Sequence, residues 1–391
     1  MSVALLQLEK HYRERDLRAR TWKSNGGKVV GYFGETVPVE MIAAAGFLPY
    51  RLSGNHAAPV THLGKHYFPY ADKSVPGSRV MSLEFVNSML DMLLSGAYDF
   101  VDYLVIPNSR KAILAIHSHL TAARAADPGL RMPELYILDR TITSSYVSSE
   151  YNRARIFEFK EQLERWSGRG LTNEALEHYI ALYNENRSLL GKIDGLRTKF
   201  SPVLSGVQAL HAYGAAKFIP VEEHSSLLRH VIDEAADFPP RAGARVFVTG
   251  SPLDYTDLYE RIEEGGATVV SENHSWGMRC AGRTVDTDCA PMDAIADAYH
   301  KTPGCTTYPL AESVRACTER ALESKSSVAV FFVYRHDDAQ VFDTPDEIAA
   351  LVAVGIESVY LSEQPYRFDY TQQSAEKIRN LLDDAAPSAN A

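Results

Sequence analysis

The sequence predicts an α/β protein in which two parallel-sheet regions bracket a helical insert. Three observations carry this. Short apolar runs alternate with helical stretches near both ends of the chain, which is the pattern of strands joined by crossover helices. The middle changes to long amphipathic helical periodicity. The Pro239-Pro240 pair then marks the return to alternation. The expected division is 1–148, an N-terminal α/β domain; 149–238, a helical segment; and 239–391, a C-terminal α/β domain.

From about Tyr32 to Arg140, the runs 47–52, 103–107 and 135–139 read as parallel strands, and 83–95 and 111–124 as helices. From 149 to about 238, Ile156, Phe159, Leu163 and Trp166 recur three or four residues apart and predict one buried helical face. Thr172, ahead of Asn173 and Glu174, is placed to cap the next helix, whose apolar positions are Leu176, Ile180 and Tyr183. Beyond Pro240, strands are expected at 245–249, 267–271, 327–334 and 358–361. The third is apolar enough for the centre of a parallel sheet. No short-period repeat is evident, and 385–391 reads as a loose tail.

Composition narrows the function. The chain is 45% hydrophobic and 23% charged, near the globular average. No apolar run is long enough for a membrane span, and the first ten residues lack the features of a signal peptide, so a cytoplasmic protein is expected. A net charge of −10 argues against a nucleic-acid binder, and the 21 tyrosines track no basic groove. A small molecule or another protein is the expected partner. The four cysteines, Cys280, Cys289, Cys305 and Cys317, form no CxxC pair and fit a reducing compartment. They read as free structural thiols, with a replacement metal site at 280, 289 and 305 as the alternative; Cys317 belongs to a helix face.

Strand ends in open parallel sheets carry ligands at their carboxyl edges, so 107–110, 249–252 and 335–338 are candidate ligand loops. Thr249-Gly250-Ser251 can offer backbone N–H groups to a phosphate, or make an ordinary strand-to-helix turn. In 34–40, Thr36 is cap-like and Pro38 suits the first helical position, while Glu40 suits the dipole of that helix. His117 and His119 are two apart and cannot share a helix face as paired ligands. His336, Asp337 and Asp338 form a cluster of hard ligands, suited to an oxygen-ligated divalent metal or simply to solvent.

The run 31–52, GYFGETVPVEMIAAAGFLPYRL, resembles the opening signature of the 2-hydroxyacyl-CoA dehydratase and benzoyl-CoA reductase subunits. Residues 85–91 and 99–109 are similar to that family's first two cluster-ligand segments, and the likeness continues through 248–251 and 276–279. The run 184–187 resembles a helical family motif, read here as a domain-packing network. The resemblance implies two Rossmann-like domains facing across a cleft. It also implies a cysteine near each of Leu83, Arg110 and Asp337, where this chain has none. A cubane needs soft thiolate ligands; leucine cannot ligate, and arginine cannot lose its proton in a protein.

No cofactor is therefore expected on this chain, nor a metal; a 4Fe-4S cluster is expected, if anywhere, in a partner subunit. The resemblance also places the 34–40 loop near a thioester. Candidate ligand-binding residues are Glu35, Glu40, Ser109, Arg110, His336 and Asp338. Family enzymes remove water from a 2-hydroxyacyl thioester after injection of one electron, a step this chain cannot perform alone without a cluster. The leading expectation is a cluster-free subunit that binds an acyl thioester or supplies a dimer interface, paired with a cluster-bearing paralogue or with itself. A repurposed stand-alone enzyme and a small-molecule binding or regulatory protein are the alternatives. A geometric expectation follows: Leu83, Arg110 and Asp337 converge, with Arg110 in salt-bridge reach of Asp337 or Asp338, or with an anion or water network between them.

Overall fold

The computed structural model describes residues 2–57, 70, 83–141, 143, 145–302, 309–366, 376–380 and 382. Cys305 and the 385–391 tail lie outside them. Two four-stranded sheets form the frame, and every pairing in them is parallel. The first holds β1 (Val29–Tyr32), β2 (Leu48–Arg51), β3 (Tyr103–Pro107) and β4 (Glu134–Leu138) in the order β2-β1-β3-β4. The second holds β5 (Arg245–Gly250), β6 (Thr268–Asn273), β7 (Val328–Tyr334) and β8 (Glu357–Gln364) in the order β6-β5-β7-β8. The strand order is thus the same in both sheets, although no sequence repeat announces it.

Alternation along each strand explains the layering. In β1, Val29 enters the main core and Val30 and Tyr32 enter a second cluster on the other face, with Val105 and Leu138. In β7, Val328, Val330 and Phe332 join the main core, while Ala329 and Phe331 pack with Cys317 on the opposite side. Both sheets are therefore covered on two faces, and one continuous apolar cluster includes residues of both.

Helices α3 (Val39–Ala44), α4 (Glu84–Leu94) and α5 (Lys111–Ala126) lie between strands of the first sheet. Between the two sheets comes the helical segment: α6 (Tyr146–Ser167), α7 (Asn173–Thr198), α8 (Gly206–Ala215) and α9 (Val221–Glu234). Thr172 caps α7 through the Ala175 amide as expected, and Ser205 with Gln208 makes a capping box on α8. Ile156, Phe159, Leu163 and Trp166 are all buried. In the second unit follow α10 (Asp257–Glu264), α11 (Pro291–His300), α12 (Leu310–Glu323) and α13 (Asp338–Ala353). Among the described residues no helix is long and apolar enough to cross a membrane.

Some expectations need correction. The chain opens with two helices that composition obscures, α1 (Val3–Arg13) and α2 (Leu17–Ser24), since both are rich in charge. Leu5, Leu8 and Tyr12 give α1 a buried stripe that packs on α8 and α9. The first strand begins at Val29, ahead of Tyr32. Thr36 is not the cap of α3: Pro38 occupies the cap position and the helix begins at Val39. Thr36 is buried instead, and its carbonyl accepts a hydrogen bond from Arg140.

Candidate functional site

The loops after β1, β3, β5 and β7 hold most of the candidate residues, because a parallel sheet delivers all its strand ends to one edge. Two backbone features shape them. Gly250 ends β5 at φ +116°, where a Cβ would lie 2.2 Å from the Phe332 carbonyl oxygen, so only glycine lets β5 approach β7 there. His336 takes φ +64° after β7, a conformation that costs a non-glycine residue about 1 kcal/mol or more. That turn carries Asp337 into the interior while His336 itself stays exposed.

Arg110 and Asp337, 227 residues apart in sequence, meet there: Arg110 Nη1 donates to Asp337 Oδ1 at 3.1 Å. The side chains are 8% and 1% exposed. Asp337 Oδ2 accepts from Ser251 Oγ at 2.7 Å, and Ser251 Oγ accepts from the Tyr334 amide at 2.9 Å. The Ser251 amide is spent on the Phe332 carbonyl at 2.8 Å, so the 249–251 turn is occupied in joining strands. Arg110 and Asp337 are also the residues that precede helices α5 and α13, so each stands at a helix N-terminus. Asp337 is favoured there by the dipole, and Arg110 is disfavoured unless a carboxylate answers it.

A pocket of about 550 Å³, its open mouth included, lies beside this pair. Phe33, Met89, Ile113 and Trp276 give it apolar walls, while Ser109, Arg110, Arg51 and Asp254 place polar groups around them. Asp254 is 4% exposed; it accepts from Tyr366 Oη at 2.9 Å and faces Arg15 at 3.5 Å. Leu83, buried in the main core, precedes α4 and is not among the side chains that line this pocket. Its neighbour Glu84 joins the loops beyond β7 and β8 by accepting from Arg335 at 3.3 Å and from the Tyr366 amide at 2.9 Å. Arg110 and Asp337 thus meet and Ser109 stands beside them, whereas His336 and Asp338 are exposed.

The two candidate glutamates lie on the other side of Gly34. Glu40 is fully buried, and its carboxylate accepts from Arg187 Nη2 and, at 2.8 Å, from Tyr299 Oη. Arg187 also donates to the Ala281 carbonyl at 2.9 Å and to Asn184 at 3.0 Å. The 184–187 run is therefore a packing network that ties α7 to α3 and to the 281–285 loop. Glu35 has a 7% exposed side chain whose Oε1 stands 3.6 Å from Arg279 Nη2, and that oxygen has no hydrogen-bond partner among the described residues. It lines a second pocket, about 790 Å³ including its open mouth, together with Arg51, Arg187, Lys217, His224 and Tyr299. Gly34 and Arg51 belong to the walls of both pockets.

Arg51, which sequence reasoning passed over, is 4% exposed, stacks on Trp276 with its guanidinium 4.3 Å from the ring centroid, and donates to the Ser275 carbonyl and hydroxyl. Its one sequence signal is an arginine ending an otherwise apolar strand. Among the described side chains the donor set around Arg110 and Asp337 contains no thiolate: Cys317 is buried on α12 and Cys289 is exposed, while the Cys280 side chain and Cys305 lie outside them. Among the described residues no three histidine, cysteine or acidic side chains are placed to hold a metal ion.

Comparison with known proteins supplies the family. The chain is 24% identical to the (R)-phenyllactyl-CoA dehydratase beta subunit of Clostridium sporogenes over 355 residues, 90% of each chain. It is 22% identical to the beta subunit of lactoyl-CoA dehydratase from Anaerotignum propionicum over 367 residues, 92% of each. A subunit of the benzoyl-CoA reductase of Thauera aromatica is 28% identical over 312 residues, 76% of each. The model of the 2-hydroxyglutaryl-CoA dehydratase D-component family matches residues 36–382, and with nearly the whole fold inside that match the chain belongs to this family.

Proposed function

We propose that this chain is a cluster-free subunit of a complex of the 2-hydroxyacyl-CoA dehydratase or benzoyl-CoA reductase type. It binds the acyl part of a thioester in the pocket beside Arg110 and pairs with a cluster-bearing paralogue. That pocket is the cleft between the two α/β units. The observation that carries this reading is the Arg110–Asp337 pair. Two of the positions where the resemblance implies cysteines are occupied by side chains that bind each other at 3.1 Å. A guanidinium and a carboxylate are hard, mutually satisfied groups and do not fit a cubane, which requires thiolates or comparable ligands. Arg110 thereby presents its guanidinium, held by Asp337, at the rim of a chamber with apolar walls. An acyl chain would lie against Phe33, Met89 and Ile113, with its carbonyl toward Ser109 and Arg110.

Two measurements test this. Protein purified and reconstituted without oxygen should hold well under one iron per chain; about four irons and four sulfides would overturn the cluster-free reading. Short-chain and aromatic acyl-CoA thioesters at millimolar concentration should raise the melting temperature by mass action. Ile113→Phe, which fills the apolar wall, should abolish that shift. No shift with any thioester would remove the acyl-binding role.

A further inference from the structure

We propose that the second pocket, walled by Glu35, Arg51, Lys217 and His224, is a binding site for a small oxyanion, a carboxylate or a phosphate group, gripped chiefly by Arg51. Four guanidinium groups, of Arg51, Arg140, Arg187 and Arg279, surround this side of the fold and meet two carboxylates, Glu35 and Glu40. The surplus is positive, in a chain whose net charge is −10. Arg187 is matched by Glu40, and Arg279 faces Glu35 across 3.6 Å.

Arg51 and Arg140 have no carboxylate partner among the described residues. Among the described residues Arg51 donates to Ser275 alone, which leaves N–H groups on a planar fork shaped for an oxyanion. Arg140, 8% exposed, donates to the carbonyls of Thr36 and Tyr299, and its Nε has no partner among the described residues. Burial pulls its guanidinium down to about 10. Tyr299 and Val37, adjacent to those carbonyls, line the pocket, so Arg140 stands directly behind its wall.

Buried cations without counter-charges are costly, and an anion bound within a few ångströms relieves that cost. Lys217 and the exposed Arg283 at the mouth extend the same sign of potential outward and would draw anions in. Glu35 is the one acid in the lining among the described residues; it opposes the ligand and sets how tightly it is held. The inference does not depend on the acyl-binding reading, because the apolar pocket is a separate chamber that shares only Gly34 and Arg51 with this one.

The full chain is titrated with inorganic phosphate and, separately, with acetate at constant ionic strength. Tryptophan fluorescence is followed, since Arg51 lies on the Trp276 ring. Saturable binding with a Kd of about 1 mM or below is expected for at least one anion. Preference for acetate assigns a carboxylate-bearing ligand, and preference for phosphate assigns a phosphorylated one. Glu35→Gln removes the opposing charge and should tighten binding about fivefold, while Arg283→Ala, at an exposed position, should weaken it about threefold. Arg51→Gln should abolish it; should that variant fail to fold, the other two decide. Ile113→Phe should leave anion affinity unchanged, which separates this site from the acyl pocket. No saturable binding of either anion, or affinities unmoved by both Glu35→Gln and Arg283→Ala, would overturn the proposal.

Discussion

Asp337, 1% exposed, answers the charge of Arg110 and the hydroxyl of Ser251, so Arg110 has a structural task whatever the pocket binds. Removing one partner from a buried pair leaves the other charge uncompensated, a loss of about 3–5 kcal/mol. Arg110→Ala should accordingly lower the unfolding free energy by that amount, read as a lower urea midpoint at unchanged slope; a loss below about 1 kcal/mol would mean that solvent screens the pair. Arg110→Cys supplies one thiol where a cubane needs several, and iron content after reconstitution should stay at the wild-type level. The pair was legible only through the family resemblance, which makes both positions ligands of one cluster and so places them near one centre; the two strand-end loops belong to different sheets. Arg51, Arg140 and Asp254 were not: a single polar residue near a strand end has no periodic signature, and its burial depends on what the other unit brings to it. The Glu40 carboxylate illustrates the converse, since a helix-dipole position was readable but its partners, Arg187 and Tyr299, come from distant helices.

At the level of elements, buried polar links join helices and strands and make the fold acid-sensitive. His224 Nε2 donates to the Ala212 carbonyl on α8, while Nδ1 accepts from Asn186 on α7, so one neutral tautomer of an α9 residue bridges three helices. Burial pushes His224 and His274 down to about 4, from an ordinary 6.5. Burial alone would raise the Glu272 carboxyl, but Arg197 at 2.5 Å outweighs it and holds Glu272 at about 2, below the ordinary 4.5. The signs agree. Between pH 6.5 and 4 the unfolded histidines bind protons that the folded ones refuse, and between 4.5 and 2 the same holds for Glu272, so stability falls as pH drops through each window. Charging either histidine costs the fold about 3 kcal/mol more than it costs the unfolded chain, a penalty absent at neutral pH and felt as pH falls. Urea midpoints should therefore fall steeply between about pH 6.5 and 4.5, and a flat profile would show that these groups titrate freely. Most elements carrying these links were legible from apolar runs and caps such as Thr172. The α1 and α2 helices were not, because charge around α1 hides its stripe of Leu5, Leu8 and Tyr12.

For the whole molecule, two sheets with one strand order share an apolar core, and Arg15 sits where their edges meet the helical segment. It follows α1, donates to Ser53 Oγ beyond β2 at 2.9 Å and to the Asp254 carbonyl beyond β5, and pairs with the Asp254 carboxylate at 3.5 Å. Its guanidinium also lies over Tyr12, Phe218 and Trp276, at 4.8, 5.4 and 5.7 Å from their centroids. One side chain thus spans the first sheet, the second sheet and the helices, a convergence that no local pattern around 13–17 announces. Arg15→Ala removes the fork and leaves Asp254 buried with Tyr366 as its remaining side-chain partner among the described residues, a loss of about 3 kcal/mol or more. Arg15→Lys should recover little, because an ammonium lacks the planar fork that reaches Tyr12, Ser53 and Asp254 from separate nitrogens while lying over three rings. Denaturation followed by both far-ultraviolet circular dichroism and tryptophan fluorescence checks this. The wild type should give coincident transitions, because its core is shared, and both variants should shift the two probes together to lower urea. Separate transitions in the wild type, or an Arg15→Lys midpoint equal to it, would show that the two units fold independently and that Arg15 merely touches both.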